Sequence, residues 1–508
     1  MRSARKIAIL LALLLCGGSA FGLSAPEGGH PSRAKVDAIL GREVFKTGQA
    51  GVLAVTMEGD TLACSHAAGK MVPASNVKLV TTGLALVELG PEYRFRTTLA
   101  YSGNISAGVL EGDLYIVGGG DPTLGASCEC ASPIQSVFRD WTRLVREAGI
   151  RSIEGRIIGD PRLFRGTPEC LGWTYDDLGT DYGAGPSGLN FYENAQLLEI
   201  YPASNPGDAP EIIAKYPYTP WMYYSAAAET APRGASRDLY VINTDFGPYA
   251  RVCGRIPAGK MASLMTSNRF PAYTCAYYFR VWLQEQGIPS SGWGDVAPGG
   301  YVRTDLLFSD AGSAAADSAE LTVIGGTESA NLAMIASTTN HESDNFYAEA
   351  LMHAVALRRR GSSEYADCRL AVEDALASLG LETAGRCRIF DGSGLSRKNY
   401  VSPSFLVDFL CAMARTGVSE RFIKSLPQPG EGTLSERLRG KPEDVRSRVY
   451  MKSGSMNGIR CFSGYVLSSE GNPSHDIAFS ILTGNITAPS SALLPSIDEI
   501  IAALAAEN

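Results

Sequence analysis

The sequence predicts an α+β fold, an antiparallel sheet packed with helices, in which a large and mostly β insertion splits the chain. Three observations carry that prediction. Helix-like and strand-like segments alternate quickly between residues 36 and 89, short strand-like runs broken by Gly, Pro, Asn and Asp fill most of 94–317, and helices with three closely spaced strands return from 318 to 508. With 508 residues, 45% of them hydrophobic, the chain has apolar material for two or three domains.

At the N-terminus Arg2, Arg5 and Lys6 precede an apolar run over 7–15, followed by the small residues Gly17, Gly18, Ser19 and Ala20. This is the pattern of a secretory signal peptide, assigned to residues 1–25, with cleavage after Ala20 or after Ala25. A lipid anchor on Cys16 is the alternative, since Leu13 precedes it by three and Gly17 follows, although Leu15 is bulky where such signals prefer a small residue. The run is too short to cross a hydrocarbon core of about 30 Å, and no later stretch reaches roughly 18 uninterrupted apolar residues, so no membrane span is expected. The expected location is the periplasm.

A formal net charge of -8 argues against nucleic acid as a partner, which needs Lys and Arg clustered on one face. Among the cysteines beyond the leader only Cys128 and Cys130 are close. One intervening residue, no second pair nearby and no adjacent His do not make zinc-ligand spacing, so structural bridges or buried thiols are expected.

The first segment, 35–93, contains a strand over 51–57 and an amphipathic helix over 74–89 that Gly90 and Pro91 end. The insertion, 94–317, is read as strands at 109–117, 156–158, 197–201 and 239–243, with a flexible connector at 313–316. In the last segment, 318–508, helical periodicity covers 329–360, 402–415 and 493–505. Strands over 448–452, 460–467 and 476–482 form an antiparallel meander with turn signals at 454–458 and 471–474.

Five histidines and the absence of a Gly-x-Ser-x-Gly elbow give little support to Ser-His-Asp chemistry. Ser75-Asn76-Val77-Lys78 offers another way to activate a nucleophile. Ser75 and Lys78 lie one turn apart on one helix face, Ser75 at the positive N-terminal end, and a desolvated Lys78 beside a second cation can be neutral and accept the Ser75 proton. The spacing alone is common: Ser3 to Lys6 and Ser32 to Lys35 share it. Ser343-Asp344-Asn345 opens a helical stretch, where it also suits a helix N-cap, and Ser329-Ala330-Asn331 is a rival with the same spacing. Lys452-Ser453-Gly454 stands at the end of the 448–452 strand. There Lys452 supplies the second cation, Ser453 a hydroxyl for a carboxylate, and Gly454 a bare strand along which a peptide lies.

In the order Ser-x-x-Lys, Ser-x-Asn, Lys-Ser-Gly, the three motifs resemble the signature of penicillin-binding proteins and serine β-lactamases. The long separation of Ser75 from Ser343 resembles the low-molecular-mass class C penicillin-binding proteins. These are D-alanyl-D-alanine carboxypeptidases and endopeptidases whose transpeptidase-like domain is split by inserted domains. Gly119-Gly120-Asp121-Pro122-Thr123-Leu124, residues 173–194, Asp391-Gly392-Ser393-Gly394-Leu395-Ser396-Arg397 and Gly432-Thr433-Leu434 resemble the same family. Ser453 departs from it by replacing a common Thr, which keeps the hydroxyl.

The resemblance implies peptidoglycan stem peptides as substrates, β-lactams as covalent inhibitors and no cofactor or metal. It implies Ser75 as nucleophile, Lys78 as base, Ser343 as proton relay, and Asn345 as holder of the acyl chain. Lys452 with Ser453 would bind the terminal carboxylate, and the N–H groups of Ser75 and Ser455 would form an oxyanion hole. Arg397 is either a substrate contact or part of a loop salt bridge. Asp160 is either a contact for a diaminopimelate amine or a turn residue before Pro161. The competing readings are a β-lactamase and a non-catalytic wall-binding scaffold.

Overall fold

The computed structural model describes residues 31–243, 247–291 and 320–507. The signal peptide, Cys16 and the 313–316 connector lie outside the described residues.

A five-stranded antiparallel sheet runs in the spatial order Val449–Met456, Ile459–Val466, Ile477–Gly484, Gln49–Thr56, Thr61–Ser65. Its residues alternate between two apolar cores, which is what a period of two does when both faces are covered. Leu53, Cys461, Tyr465, Ala478 and Leu482 pack against helices Val77–Leu89, Asn345–Arg360, Tyr365–Ser378 and Pro403–Ala414. Val52, Ala54, Phe462, Phe479 and Ile481 face Pro31–Leu40 and Ser490–Ala505.

Chain segments distant in sequence meet here. Val52 pairs with Ile481 and Ala54 with Phe479, so the start and end of the chain share one sheet. The insertion leaves and returns through neighbouring strands, since Arg96–Tyr101 pairs with Thr322–Glu328 from Arg96↔Glu328 to Tyr101↔Thr322. A long insertion costs little where its ends are already adjacent, because loop-closure entropy grows only slowly with length.

Insertion strands and the returning Thr322–Glu328 form a four-stranded sheet that packs under helices Ile134–Glu147 and Pro271–Glu285, and two three-stranded sheets of the insertion form a separate apolar cluster. The sequence reading named four strand runs here, at 109–117, 156–158, 197–201 and 239–243, and neither of these two helices. It also joined 109–117 into one strand, whereas Val109–Glu111 and Leu114–Val117 belong to different sheets, split at Gly112-Asp113.

Three further differences bear on the site. The amphipathic helix expected over 74–89 is a short 3₁₀ turn, Ala74–Asn76, followed by helix Val77–Leu89, whose residues are all buried from Val77 to Leu86. The helical stretch expected over 329–360 breaks into Leu332–His341 and Asn345–Arg360, and Ser343 sits in the break at φ +58°. The strand expected to stop at Lys452 continues to Met456 and turns at Asn457-Gly458, so Lys452, Ser453 and Gly454 lie inside an edge strand.

Trp141 is fully buried at the centre of the insertion's helical layer, with ring centroids 5.6 Å from Phe138 and 5.2 Å from Phe279. Trp141→Ala is expected to destabilise the protein by about 3–5 kcal/mol, read as a lowered denaturant midpoint. A change within about 0.5 kcal/mol would mean that this layer is not a packed core.

Candidate active site

Ser75 stands in the 3₁₀ turn at the head of helix Val77–Leu89. Ala74 before it has φ +48°, a left-handed conformation that costs a non-glycine residue on the order of 1–3 kcal/mol. Two glycines allow other backbone segments to close on this turn. A Cβ on Gly394, which has φ +86°, would lie 2.0 Å from the Ala74 oxygen, and one on Gly454 would lie 2.6 Å from the Pro73 oxygen. The missing side chain of Gly454 thus brings the edge strand against the Ser75 turn. Asn76 anchors the turn from below, donating from Nδ2 to Ser463 Oγ at 2.9 Å.

Lys78 is fully buried. Its Nζ lies 3.1 Å from Ser75 Oγ, 2.7 Å from Asn345 Oδ1 and 2.7 Å from the Ser393 carbonyl oxygen. Burial pushes the amine down from 10.5 to about 8, against the opposing pull of Asp344, Asp391 and Glu349. Glu349 lies one turn after Asn345 on the same helix and is itself fully buried. It accepts from Gly392 N at 3.1 Å, Ser393 N at 2.7 Å and Tyr365 OH at 3.2 Å. Burial first, then the Asp391 charge, pushes its carboxyl up to about 8.

A second buried amine sits across from the first. Lys452 Nζ donates to Ser343 Oγ and to the Ser453 carbonyl, both at 2.9 Å, and burial followed by the Lys78 charge drives it well below its ordinary value. Ser453 Oγ shares a 2.8 Å hydrogen bond with Thr433 Oγ1. Of the two Ser-x-Asn triplets, the one at 343–345 contacts both lysines. Ser343 meets Lys452 and Asn345 meets Lys78, while Asp344 caps the helix by accepting from Tyr347 N at 2.8 Å. The rival triplet lies elsewhere in function: Ser329 Oγ accepts from Phe95 N, and Asn331 caps Leu332–His341 and binds Glu92.

Ser75 opens into a cleft of about 450 Å³ whose walls include Asn345, Ser455 and Arg397, with no histidine among the lining residues. Arg397 is exposed and makes no ion pair among the described residues, though it helps to hold the Asp176 carboxyl below its usual value, after hydrogen bonds from Thr174 and the Asp176 backbone. Asp160 is not in this cleft. It lines a separate cavity, and its carboxylate is taken by Arg162 through Nε at 2.8 Å, Nη2 at 2.7 Å and the backbone N at 3.0 Å.

The acids that do face the Ser75 cleft are Asp176 and Asp177, from an insertion loop that also brings Thr174 and Tyr182. Sequence reasoning noted that stretch only as family-like. Glu349, by contrast, had a readable signal, the only acid in helix Asn345–Arg360, four residues after Asn345 and set among Phe346, Ala348, Ala350 and Leu351. Cys128 and Cys130 form a disulfide, Cys170, Cys253, Cys275, Cys368 and Cys461 are buried thiols, and Cys64, Cys387 and Cys411 are half-buried.

This geometry has relatives. The chain is 29% identical over 476 residues to a D-alanyl-D-alanine carboxypeptidase of Actinomadura sp. (strain R39), covering 90% of this chain and 82% of that protein. It is 25% identical over 413 residues to the D-alanyl-D-alanine carboxypeptidase DacB of Haemophilus influenzae, covering 79% and 78%. The fold is similar to the crystal structure of penicillin binding protein 4 (dacB) from Haemophilus influenzae, with a TM-score of 0.74 at 21% identity over 92% of this chain and 97% of that one. The model of the D-Ala-D-Ala carboxypeptidase 3 (S13) family matches residues 32–507, and the chain belongs to that family.

Proposed function

We propose that this protein is an exported serine DD-peptidase of the periplasm that cuts D-alanyl-D-alanine bonds, and D-alanyl cross-links, in peptidoglycan stem peptides. The signal-peptide reading of residues 1–25 supports export, and among the described residues no helix is long and apolar enough to cross a membrane. The division at 35–93, 94–317 and 318–508 belongs to the same proposal.

The observation that carries it is the hydrogen-bond set of Lys78. Asn345 Oδ1 and the Ser393 carbonyl take two N–H groups. In the neutral amine the lone pair then faces Ser75 Oγ, 3.1 Å away, which is the geometry of a general base. Ser75 attacks the carbonyl between the two D-alanines while its proton passes to Lys78. The oxyanion is held by the N–H groups of Ser75 and Ser455, each worth about 3 kcal/mol. Ser343, bonded to Lys452, relays a proton to the leaving amine, the C–N bond breaks and an ester on Ser75 remains. Water then attacks that ester, returns the serine hydroxyl and releases the shortened peptide.

Ser453 and Lys452 receive the terminal carboxylate, whose charge would favour the ammonium form of Lys452. Asn345 holds the acyl chain. Arg397 and Asp176 offer opposite charges at the rim of the acyl side. β-Lactams, which present the same acyl-D-alanyl shape, acylate Ser75.

Incubation with benzylpenicillin is expected to add one equivalent to the intact mass, and Ser75→Ala to add none; an unmodified wild-type protein that is properly folded removes the assignment. The acylation rate should climb about tenfold per pH unit at low pH and level off above about 8, because Lys78 is a base only when deprotonated. A rate that does not change between pH 6 and 9 would mean that another group takes the proton. Ser453→Ala should lower kcat/KM for an acyl-D-alanyl-D-alanine peptide by about tenfold or more, the worth of one charge-assisted hydrogen bond. An unchanged kcat/KM places the carboxylate elsewhere.

A further inference from the structure

Both acceptors that fix the Lys78 amine are themselves fixed by one loop of the insertion. Asn345 turns Oδ1 toward Lys78 while its Nδ2 donates to the Tyr182 carbonyl at 3.0 Å. The other acceptor, the Ser393 carbonyl, belongs to a turn built around the buried Asp391 carboxylate. Asp391 accepts from Gly394 N at 2.9 Å, Asn399 Nδ2 at 2.7 Å, Ser396 N at 2.6 Å and, from the insertion, Trp173 Nε1 at 2.9 Å.

Trp173 and Tyr182 are ends of a braced loop. Asp177 Oδ2 accepts from Thr174 N and Thr174 Oγ1, the Asp177 carbonyl accepts from Thr180 Oγ1, and Thr180 Oγ1 accepts from Gly183 N. The Trp173 ring is buried with Cys170 and Tyr365 and packs against Leu178, Phe390 and Leu395. Beside it, Gly172 lies so close to Ser396 and Phe390 that a Cβ would be 2.2 Å from Ser396 Oγ. The loop cannot shift relative to the 391–396 turn without breaking these contacts.

We propose that Trp173 is a positioning residue for the general base: its indole N–H locks the insertion loop to Asp391, and the loop thereby holds Asn345 and Ser393 on Lys78. This rests on the reading of Lys78 as the base of Ser75. The insertion is then part of the catalytic constellation even before substrate arrives, rather than only a wall of the cleft. The ionisable groups around Lys78 are Asp344, Glu349 and Asp391, with Lys452 opposite; Trp173→Phe removes none of them and adds none, and takes one donor from Asp391, which keeps those of Gly394, Ser396 and Asn399.

Two full-length variants separate positioning from packing, read as the rate of Ser75 acylation by benzylpenicillin against pH, beside the melting temperature. Trp173→Phe keeps an aromatic ring and removes the N–H. It is expected to acylate about tenfold or more slowly with its acid limb displaced to lower pH, since the ammonium form of Lys78 loses well-placed acceptors. Trp173→His keeps a ring N–H at the equivalent position and gives up the six-membered ring. It is expected to melt lower yet keep a plateau rate near that of the wild type, read above about pH 8 where the added imidazole is neutral. A Trp173→Phe protein with wild-type rate and limb overturns the proposal, as does a Trp173→His protein whose plateau rate above about pH 8 falls tenfold or more, which decides the matter if the phenylalanine variant does not fold. A wild-type protein that forms no adduct fails the reading of Ser75 itself, whereas a normal adduct at a normal rate in Trp173→Phe fails only this inference.

Discussion

The structure is organised around two lysine amines taken out of water within one wedge. Neither Lys78 nor Lys452 forms an ion pair among the described residues, and an isolated buried ammonium is costly enough that such groups shift toward neutrality. In the proposed mechanism that penalty is what makes a base available, because an amine lowered to about 8 has a neutral fraction near working pH that an exposed lysine lacks. Other local oddities serve it: a left-handed Ala74, a helix buried on every side from its first turn, and glycines at 394 and 454 where only bare backbone fits. Each is unfavourable locally and persists because the packed surroundings over-determine it.

The same wedge explains why the chain is cut in two and still forms one site. Lys78 comes from the first segment and its neighbours Asn345, Ser393 and Lys452 from the last, joined across a sheet in which strand Gln49–Thr56 lies beside Ile477–Gly484. The insertion leaves through adjacent strands and so does not disturb that pairing, yet its 173–182 loop folds back onto Asp391 and Asn345. The added chain is thus tied to the centre it interrupts.

What could be read from sequence divides along the range of the contacts. Ser75 with Lys78, and Asn345 with Glu349, are helix-period pairs, so spacing alone suggests a shared face, although only Ser75 with Lys78 was drawn from it. Choosing Ser343 over Ser329 needed the third motif and family resemblance, because each triplet opens a helix equally well; contacts with Lys452 and Lys78 separate them. The strand holding Lys452 was ended at Lys452 because Gly454 opens the run 454–458 that reads as a turn, when here Gly454 marks close approach to Pro73. Asp160 was singled out and Asp176 not considered, because nothing local to either acid says which loop reaches the cleft. That is decided by the docking of Trp173, more than 200 residues away in sequence from its partner Asp391.

The central claim, that burial lowers the Lys78 amine far enough to supply a neutral fraction as base for Ser75 near working pH, is tested most directly by NMR titration of the Lys78 side chain in the intact protein, assigned with Lys78→Arg. A midpoint near 8, well apart from the surface lysines, is the result this account predicts. A midpoint near the ordinary value of 10.5 would contradict it, because the amine would then be an ammonium with no lone pair for the serine proton.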